Sequence, residues 1–254
     1  MPMARPKDGM RRYFSAALEL FAILALVAVS RTVLAQPFYV TSGSMEPTLQ
    51  IGDQLLATKF AYGYSRYSLP LALGPASDQR LFGRLPARGD VVLFNLPRDP
   101  REIYVKRVVG LPGDRVQLRD GIVWINGRKA SVRPDGTAPL QAEDGSEMPA
   151  PRFIETLPGG REHTIFKTQR GGRLDDTDAF VVPPAHLFVL GDNRDDSLDS
   201  RVPAWEGGVG FVPVENLIGR ADIVLGSWNT ATTQRPFWSW LSGFRVSRFF
   251  STII

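Results

Sequence analysis

A mainly β fold preceded by one N-terminal transmembrane helix is predicted by three features of the 254-residue chain. An apolar stretch runs from Tyr13 to Leu34. Gly-Asp pairs recur at 52–53, 89–90, 113–114 and 191–192, each beside a short apolar run. Between residues 40 and 227 no helical period of comparable length appears. Together they predict an antiparallel β domain carrying a smaller inserted β lobe.

The N-terminal stretch is long enough, because a bilayer core takes about 20 helical residues. Glu19 lies near one end, where a side chain reaches the interface. Arg11 and Arg12 precede the stretch, so residues 1–12 are expected in the cytoplasm, residues 13–35 in the bilayer and the remainder outside. A cleaved secretory signal is the alternative, since Val33-Leu34-Ala35 has the small residues such a site needs; Arg31 speaks against it.

Strands are expected at Gln54–Phe60, Asp90–Phe94, Ile103–Gly110, Arg115–Leu118, Ile122–Ile125, Leu187–Leu190 and Ile218–Val224. Asn126-Gly127 marks a hairpin, because both residues accept positive φ. Residues 62–88 and 133–179 read as loops or insertions, the latter as part of a second lobe. The boundaries expected are 36–118 with 186–227 for the main domain, 119–185 for the inserted lobe and 228–254 for a tail. That tail mixes Trp238, Trp240, Phe244, Phe249 and Phe250 with Arg245 and Arg248, a composition that fits either a lipid headgroup region or packing on the protein's own sheet.

Charge is distributed unevenly. Residues 1–12 and 228–254 each carry +3 of a total of +4, leaving residues 32–227 at −2. Basic ends beside apolar or aromatic residues point to a phospholipid surface. No basic stripe runs through the body, so nucleic acid is not an expected partner. The absence of cysteine excludes disulfides, thiol catalysis and cysteine-ligated metals. No metal-ligand motif or cofactor loop is present in the sequence, and neither a metal nor a cofactor is expected.

With only His163 and His186 available, neither in a catalytic context, a Ser-His-Asp triad is unsupported, and both histidines read as surface or packing residues. No Gly-x-Ser-x-Gly or Ser-x-x-Lys occurs either. A serine–lysine pair remains. Ser44 follows Gly43, which allows close backbone approach, and Pro47 fixes the turn beyond it. Lys106 lies in Ile103-Tyr104-Val105-Lys106-Arg107-Val108, where alternation puts Tyr104, Lys106 and Val108 on one face. Enclosure among apolar neighbours depresses a lysine pKa, as a base near neutrality requires. Gly191-Asp192-Asn193-Arg194-Asp195-Asp196-Ser197-Leu198-Asp199-Ser200-Arg201 follows an apolar run and reads as a hydrogen-bonded positioning loop, with its carboxylates paired to Arg194, Arg201 or Arg107.

These runs together resemble the bacterial type I signal peptidases. The resemblance covers the anchor, Ser42-Gly43-Ser44-Met45-x-Pro47-Thr48-Leu49, Gly89-Asp90-Val91-Val92-x-Phe94, Tyr104 through Asp114, Gly191 through Arg201, and Gly210-Phe211-Val212-Pro213. It implies an antiparallel β catalytic domain with Ser44 as nucleophile and Lys106 as general base. The Ser42 hydroxyl and the Ser44 N–H would form the oxyanion hole, and Ser197 would orient the lysine. Asp199 and Arg201 would support the loop, and Arg107 the lysine strand. Phe38, Val40, Met45, Leu49, Tyr104 and Val105 would line shallow pockets for small substrate residues.

The implied activity is removal of signal peptides from exported preproteins after Ala-x-Ala, on the outer, periplasmic side of the bacterial plasma membrane, with a protein-export translocon as a further partner. Two departures are visible: Thr41 stands where the family often has proline, and the run from Arg201 to Gly210 is longer than the family spacing. The alternatives are a self-cleaving repressor-type serine–lysine protease, which the N-terminal anchor disfavours, and a membrane-tethered β-domain that only binds peptides.

Overall fold

The structure, a computed structural model, describes residues 7–68, 80–141, 146–229, 232 and 237–254. The segment 62–88 is therefore described only on either side of 69–79. Its first element, α1 (Lys7–Val33), is a 27-residue helix, about 40 Å long at 1.5 Å per residue. Its described apolar side chains from Tyr13 to Leu24 stand exposed, with nothing from the β domain covering them. Among the described residues no helix is long and apolar enough to cross a membrane. The expected anchor falls partly outside that set, since the side chains at 25, 26 and 28–33 are not described.

An eight-stranded antiparallel sheet forms the main domain. Its order is β1 (Ala35–Tyr39), β2 (Asp53–Thr58), β14 (Leu217–Ser227), β3 (Val91–Leu96), β4 (Asp99–Gly110), β12 (His186–Leu190) and β13 (Val212–Pro213), with β15 (Ser251–Thr252) also on β14. Ala35, the last residue of the alternative cleavage motif, is the first residue of β1 and pairs with Thr58. Between β4 and β12 the chain makes two smaller sheets. One orders β11 (Phe180–Val181), β5 (Arg115–Arg119), β6 (Ile122–Ile125) and β7 (Arg128–Lys129). The other orders β10 (Glu162–Phe166), β9 (Glu147–Thr156) and β8 (Ser131–Gln141).

The β6–β7 hairpin turns on Asn126 and Gly127, both at positive φ as the motif predicts. The long β8–β9 hairpin corrects the expectation of a loop at 133–179. Its four prolines conceal it in the sequence. Two of them, Pro149 and Pro151, lie where β9 pairs with β8 alone, beyond the reach of β10. A missing N–H is tolerated along such an edge.

Apolar alternation gathers three buried clusters. Met45, Leu49, Leu55, Leu93 and Val224 fill the first, under β1, β2 and β14. Phe94, Val108, Val189 and Leu217 fill the second. The third joins Val109, Phe188 and Leu190 of the large sheet to Val116, Leu118 and Ile125 of the β5–β6 sheet, so the insertion shares a core with the main domain. Gly110 permits that contact, because a Cβ there would lie 2.7 Å from Val116 Cγ2.

The tail folds back on the protein. Arg245 donates to Ile51 O and to Gln141 Oε1, and Arg248 pairs with Asp53, so both arginines are engaged by the chain itself while Trp238 and Phe250 stay exposed. The side chain of Trp240 lies outside the described residues.

Candidate active site

Three segments converge on Ser44. The first is a single 3-10 turn, Gly43–Met45, closed by the Glu46 N–H donating to Gly43 O. Met45 and Leu49 drive it into the first core cluster, which leaves Ser44, just before Met45, half-buried at the surface. Glu46–Pro47, directly after the turn, is a cis peptide.

The second segment is β4. Lys106 is only 3 % exposed, and its Nζ meets Ser44 Oγ at 2.7 Å and Val105 O at 3.1 Å. The Tyr104 ring, two residues earlier on the same face, lies 5.4 Å from that amine. Burial lowers the Lys106 pKa to about 8, while Asp199, Asp192 and Asp196 oppose the fall. Enclosure therefore brings this lysine into the range of a general base. The nearby aspartates keep it from dropping further.

The third segment is the loop 191–201. The Asn193 N–H donates to Ser44 O at 3.1 Å and its Nδ2 to Gly43 O at 3.3 Å, so the loop grips the serine turn through its backbone. Gly191 makes this approach possible. A Cβ on it would sit 2.5 Å from Ser44 O and 2.2 Å from Ser197 Oγ.

Arg107, fully buried, points away from the amine and clamps the same loop. Its Nε and Nη2 reach the Asp192 carboxylate at 2.8 and 2.7 Å, and Nη1 donates to Gly89 O. Thr48 also donates to Asp192, tying the residue after Pro47 into the clamp. Asp199 forms a matching pair with Arg201, at 2.8 Å from both Nε and Nη2, and accepts from the Gly191 N–H. Burial alone would raise both aspartate pKa values, but the paired guanidiniums outweigh it and hold them below the ordinary range.

The other expected residues divide. Ser42, exposed at the edge of the turn, has its Oγ 3.2 Å from Ser44 Oγ, near enough for both hydroxyls to face one substrate atom. Ser197 is buried beside Gly191 and Ser44, yet its Oγ has no hydrogen-bond partner in the structure. The expected bond to the lysine is thus not made, and Lys106 Nζ meets Ser44 and Val105 instead. Phe38, Tyr104 and Val105 are half-buried beside the site. Val40, Met45 and Leu49, the other three residues expected to line the pockets, are buried in the first core cluster beside the serine turn.

Sequence reasoning missed the residues that fasten the inserted lobe to this site. Arg194 pairs with the wholly buried Glu155 of β9, not with a neighbouring aspartate. His163 of β10 is buried beside the same carboxylate, with Nε2 3.2 Å from Oε2 but without hydrogen-bond geometry. Asp195 accepts from Lys167, Thr168 and Gln169. A buried Glu46 accepts from the Gln141 N–H at the end of β8. Glu155 sits in no motif and Glu46 only at the unspecified position of the serine run, so no local signal marks either as a buried anchor. His186 stays at the surface, its Nδ1 2.8 Å from Pro184 O. Among the described residues no cluster of potential metal ligands occurs.

A family model described as signal peptidase, peptidase S26, matches residues 13–228. The chain is 36% identical over 266 residues to the signal peptidase I of Rickettsia akari (strain Hartford), covering 97% of this chain and 94% of that one. It is 37% identical to the Rickettsia typhi (strain ATCC VR-144 / Wilmington) signal peptidase I, covering 91% and 90%. Among solved structures, a signal peptidase I from Enterococcus faecalis V583 is 27% identical with a TM-score of 0.30, covering 54% of this chain and 97% of that one. A score of that size carries no argument about the fold.

Proposed function

This chain belongs to the signal peptidase family, peptidase S26, and is a serine protease; we propose that it is a membrane-anchored endopeptidase that removes signal peptides after Ala-x-Ala with a Ser44–Lys106 dyad. The 2.7 Å contact between Ser44 Oγ and a Lys106 amine enclosed from water carries the reading. In its free-base form the amine takes the Ser44 proton as the hydroxyl attacks the scissile carbonyl. Ser42 Oγ–H and the Ser44 N–H stabilise the tetrahedral oxyanion. Protonated Lys106 then delivers its proton to the leaving amine. The regenerated amine activates a water that hydrolyses the acyl-enzyme. With the lysine pKa at about 8, the rate rises with pH as the amine loses its proton.

The support residues act through geometry. Arg107–Asp192 and Asp199–Arg201 fix the loop whose Asn193 holds the serine turn. Ser197 lies beside Ser44, where a rotation of its hydroxyl toward the amine would aim the lysine. Substrate adds as an extended strand beside Phe38, Tyr104 and Val105, which favours small side chains before the cut.

The exposed apolar side chains of α1 support the anchor, because a bilayer is the environment that covers them. Ser44 lies eleven residues beyond the helix end at Val33, so the nucleophile faces the membrane surface where a signal peptide emerges. The basic N-terminus would lie in the cytoplasm and the catalytic domain on the outer side, near the export translocon.

Purified, detergent-solubilised protein tests this with a preprotein substrate. Wild type is expected to cut after Ala-x-Ala, while Ser44→Ala and Lys106→Ala lose roughly a thousandfold or more in kcat with unchanged circular dichroism. Wild-type rates in either folded variant would refute the dyad.

A further inference from the structure

Glu46 is the one buried carboxyl in direct covalent continuity with the serine turn. It is 1 % exposed, two residues past Ser44, and its side chain folds back beneath Gly43, where a Cβ would lie 3.6 Å from Oε1. Oε2 accepts the Gln141 N–H at 3.0 Å. Oε1 is buried without a hydrogen-bond partner.

Among the described residues, the surrounding groups form a ring that contains no contacting counter-charge. Arg245 faces the carboxyl from the tail but spends its guanidinium on Ile51 O, Ser227 Oγ and Gln141 Oε1. Arg248 pairs with Asp53 on β2. From β8 comes neutral Gln141, whose side chain also reaches Asn229; from β9, Glu147 acts on Arg245 at longer range. The ring thus joins the serine turn, the tip of the inserted lobe, the end of β14 and the tail. Among the described residues, the acid at its centre meets only the backbone N–H of Gln141.

Building on the dyad reading, we infer that Glu46 is a positioning residue: its carboxyl fastens the serine turn to the lobe tip at Gln141, and its ionisation slows acylation. Two physical effects produce the slowing. A negative charge beneath Gly43 opposes the oxyanion forming on the other side of the same turn. It also favours the protonated, inactive form of Lys106. Burial pushes the Glu46 pKa up to about 7, against the Gln141 N–H and the distant arginines. As pH rises, Glu46 therefore ionises before Lys106 loses its proton, and the charge is present while the dyad is active.

The test is the pH profile of acylation by full-length, solubilised protein between pH 6 and 9.5. Glu46→Gln keeps the shape and the acceptor but cannot ionise. The ratio of its kcat to that of wild type is expected near one at pH 6 and at least about threefold higher at pH 9, the size of a charge acting across one turn. A ratio independent of pH, whatever its value, would assign Glu46 a merely structural role and overturn the inference. Glu46→Met is neutral too but cannot accept the Gln141 N–H. It is expected to share the Gln variant's pH shape with lower kcat and unchanged KM, and wild-type kcat at pH 6 would overturn the link to Gln141. Ser44→Ala in the same assay reports separately on the dyad. If it is inactive while the ratio stays flat, the Glu46 inference alone fails; if it cleaves, the dyad fails.

Discussion

Glu46 and Glu155 are both buried carboxyls that attach the inserted lobe to the serine turn and its gripping loop, yet their pKa values are shifted in opposite directions. Glu155, at 0 % exposure on β9, faces Arg194 from the loop that grips the serine turn, with His163 alongside. Burial alone would raise its pKa, but these two partners together hold it down to about 2. Glu46 accepts the Gln141 backbone N–H, has no contacting cation among the described residues, and is pushed up to about 7. The difference shows that burial does not set a carboxyl's charge by itself. What matters is whether the facing element brings a guanidinium into contact. One attachment is a permanent ion pair, and the other can change its charge near neutrality.

The strongest way to break this comparison is to remove the charge of Glu155. Glu155→Gln leaves Arg194 buried and unpaired, and is expected to cost about 3–5 kcal/mol of stability at pH 7 by denaturant unfolding. A loss below about 1 kcal/mol would mean that Arg194 finds another partner or water.

Glu46→Gln should move stability the other way. A carboxyl whose folded pKa is raised from 4.5 to about 7 binds more protons folded than unfolded between those values. Wild type therefore loses stability as pH rises through that window, by up to about 3 kcal/mol, and the loss is complete above it. The Gln variant lacks this loss, so the gap between the two proteins should open from pH 4.5 to 7 and stay constant beyond. A gap that is the same at pH 4.5 and pH 8 would place Glu46 among ordinary ionised carboxylates.

The smallest effect sharpens the role of distance. Arg245 lowers the Glu46 pKa only through space. Arg245→Met should shift the midpoint of that pH-dependent gap upward by less than about one unit. A larger shift would show direct pairing in solution.

Much of the candidate site is visible in the sequence because its chemistry is local. Ser44 lies in a short glycine- and proline-bounded turn, and the alternation of Tyr104, Lys106 and Val108 foretells the lysine's enclosure before any contact is seen. The Gly-Asp turns likewise mark the strands around Val91, Val108 and Leu187, whose apolar pattern fills the three cores. The β8–β9 hairpin was not legible, since prolines argue against strands until one sees that part of β9 lies on a free edge. Nor were Glu46–Gln141 and Glu155–Arg194, pairs separated by 95 and 39 positions. Whether a glutamate meets a guanidinium or a backbone N–H depends on how the lobe docks, which no spacing in the chain encodes. Met45 and Leu49 illustrate the same limit. Their neighbourhood to the nucleophile is read easily, but only the packing shows that they face inward.

The most direct test of the central claim is to locate the acyl group. A signal-peptide substrate is mixed with excess enzyme, quenched in acid within one turnover, digested and mapped by mass spectrometry. The account predicts an ester-linked adduct, with the mass of the signal-peptide acyl group, on the peptide containing Ser44, formed more slowly as pH falls below the Lys106 pKa and absent from Ser44→Ala. An adduct on any other residue, or undiminished cleavage by Ser44→Ala, would contradict it.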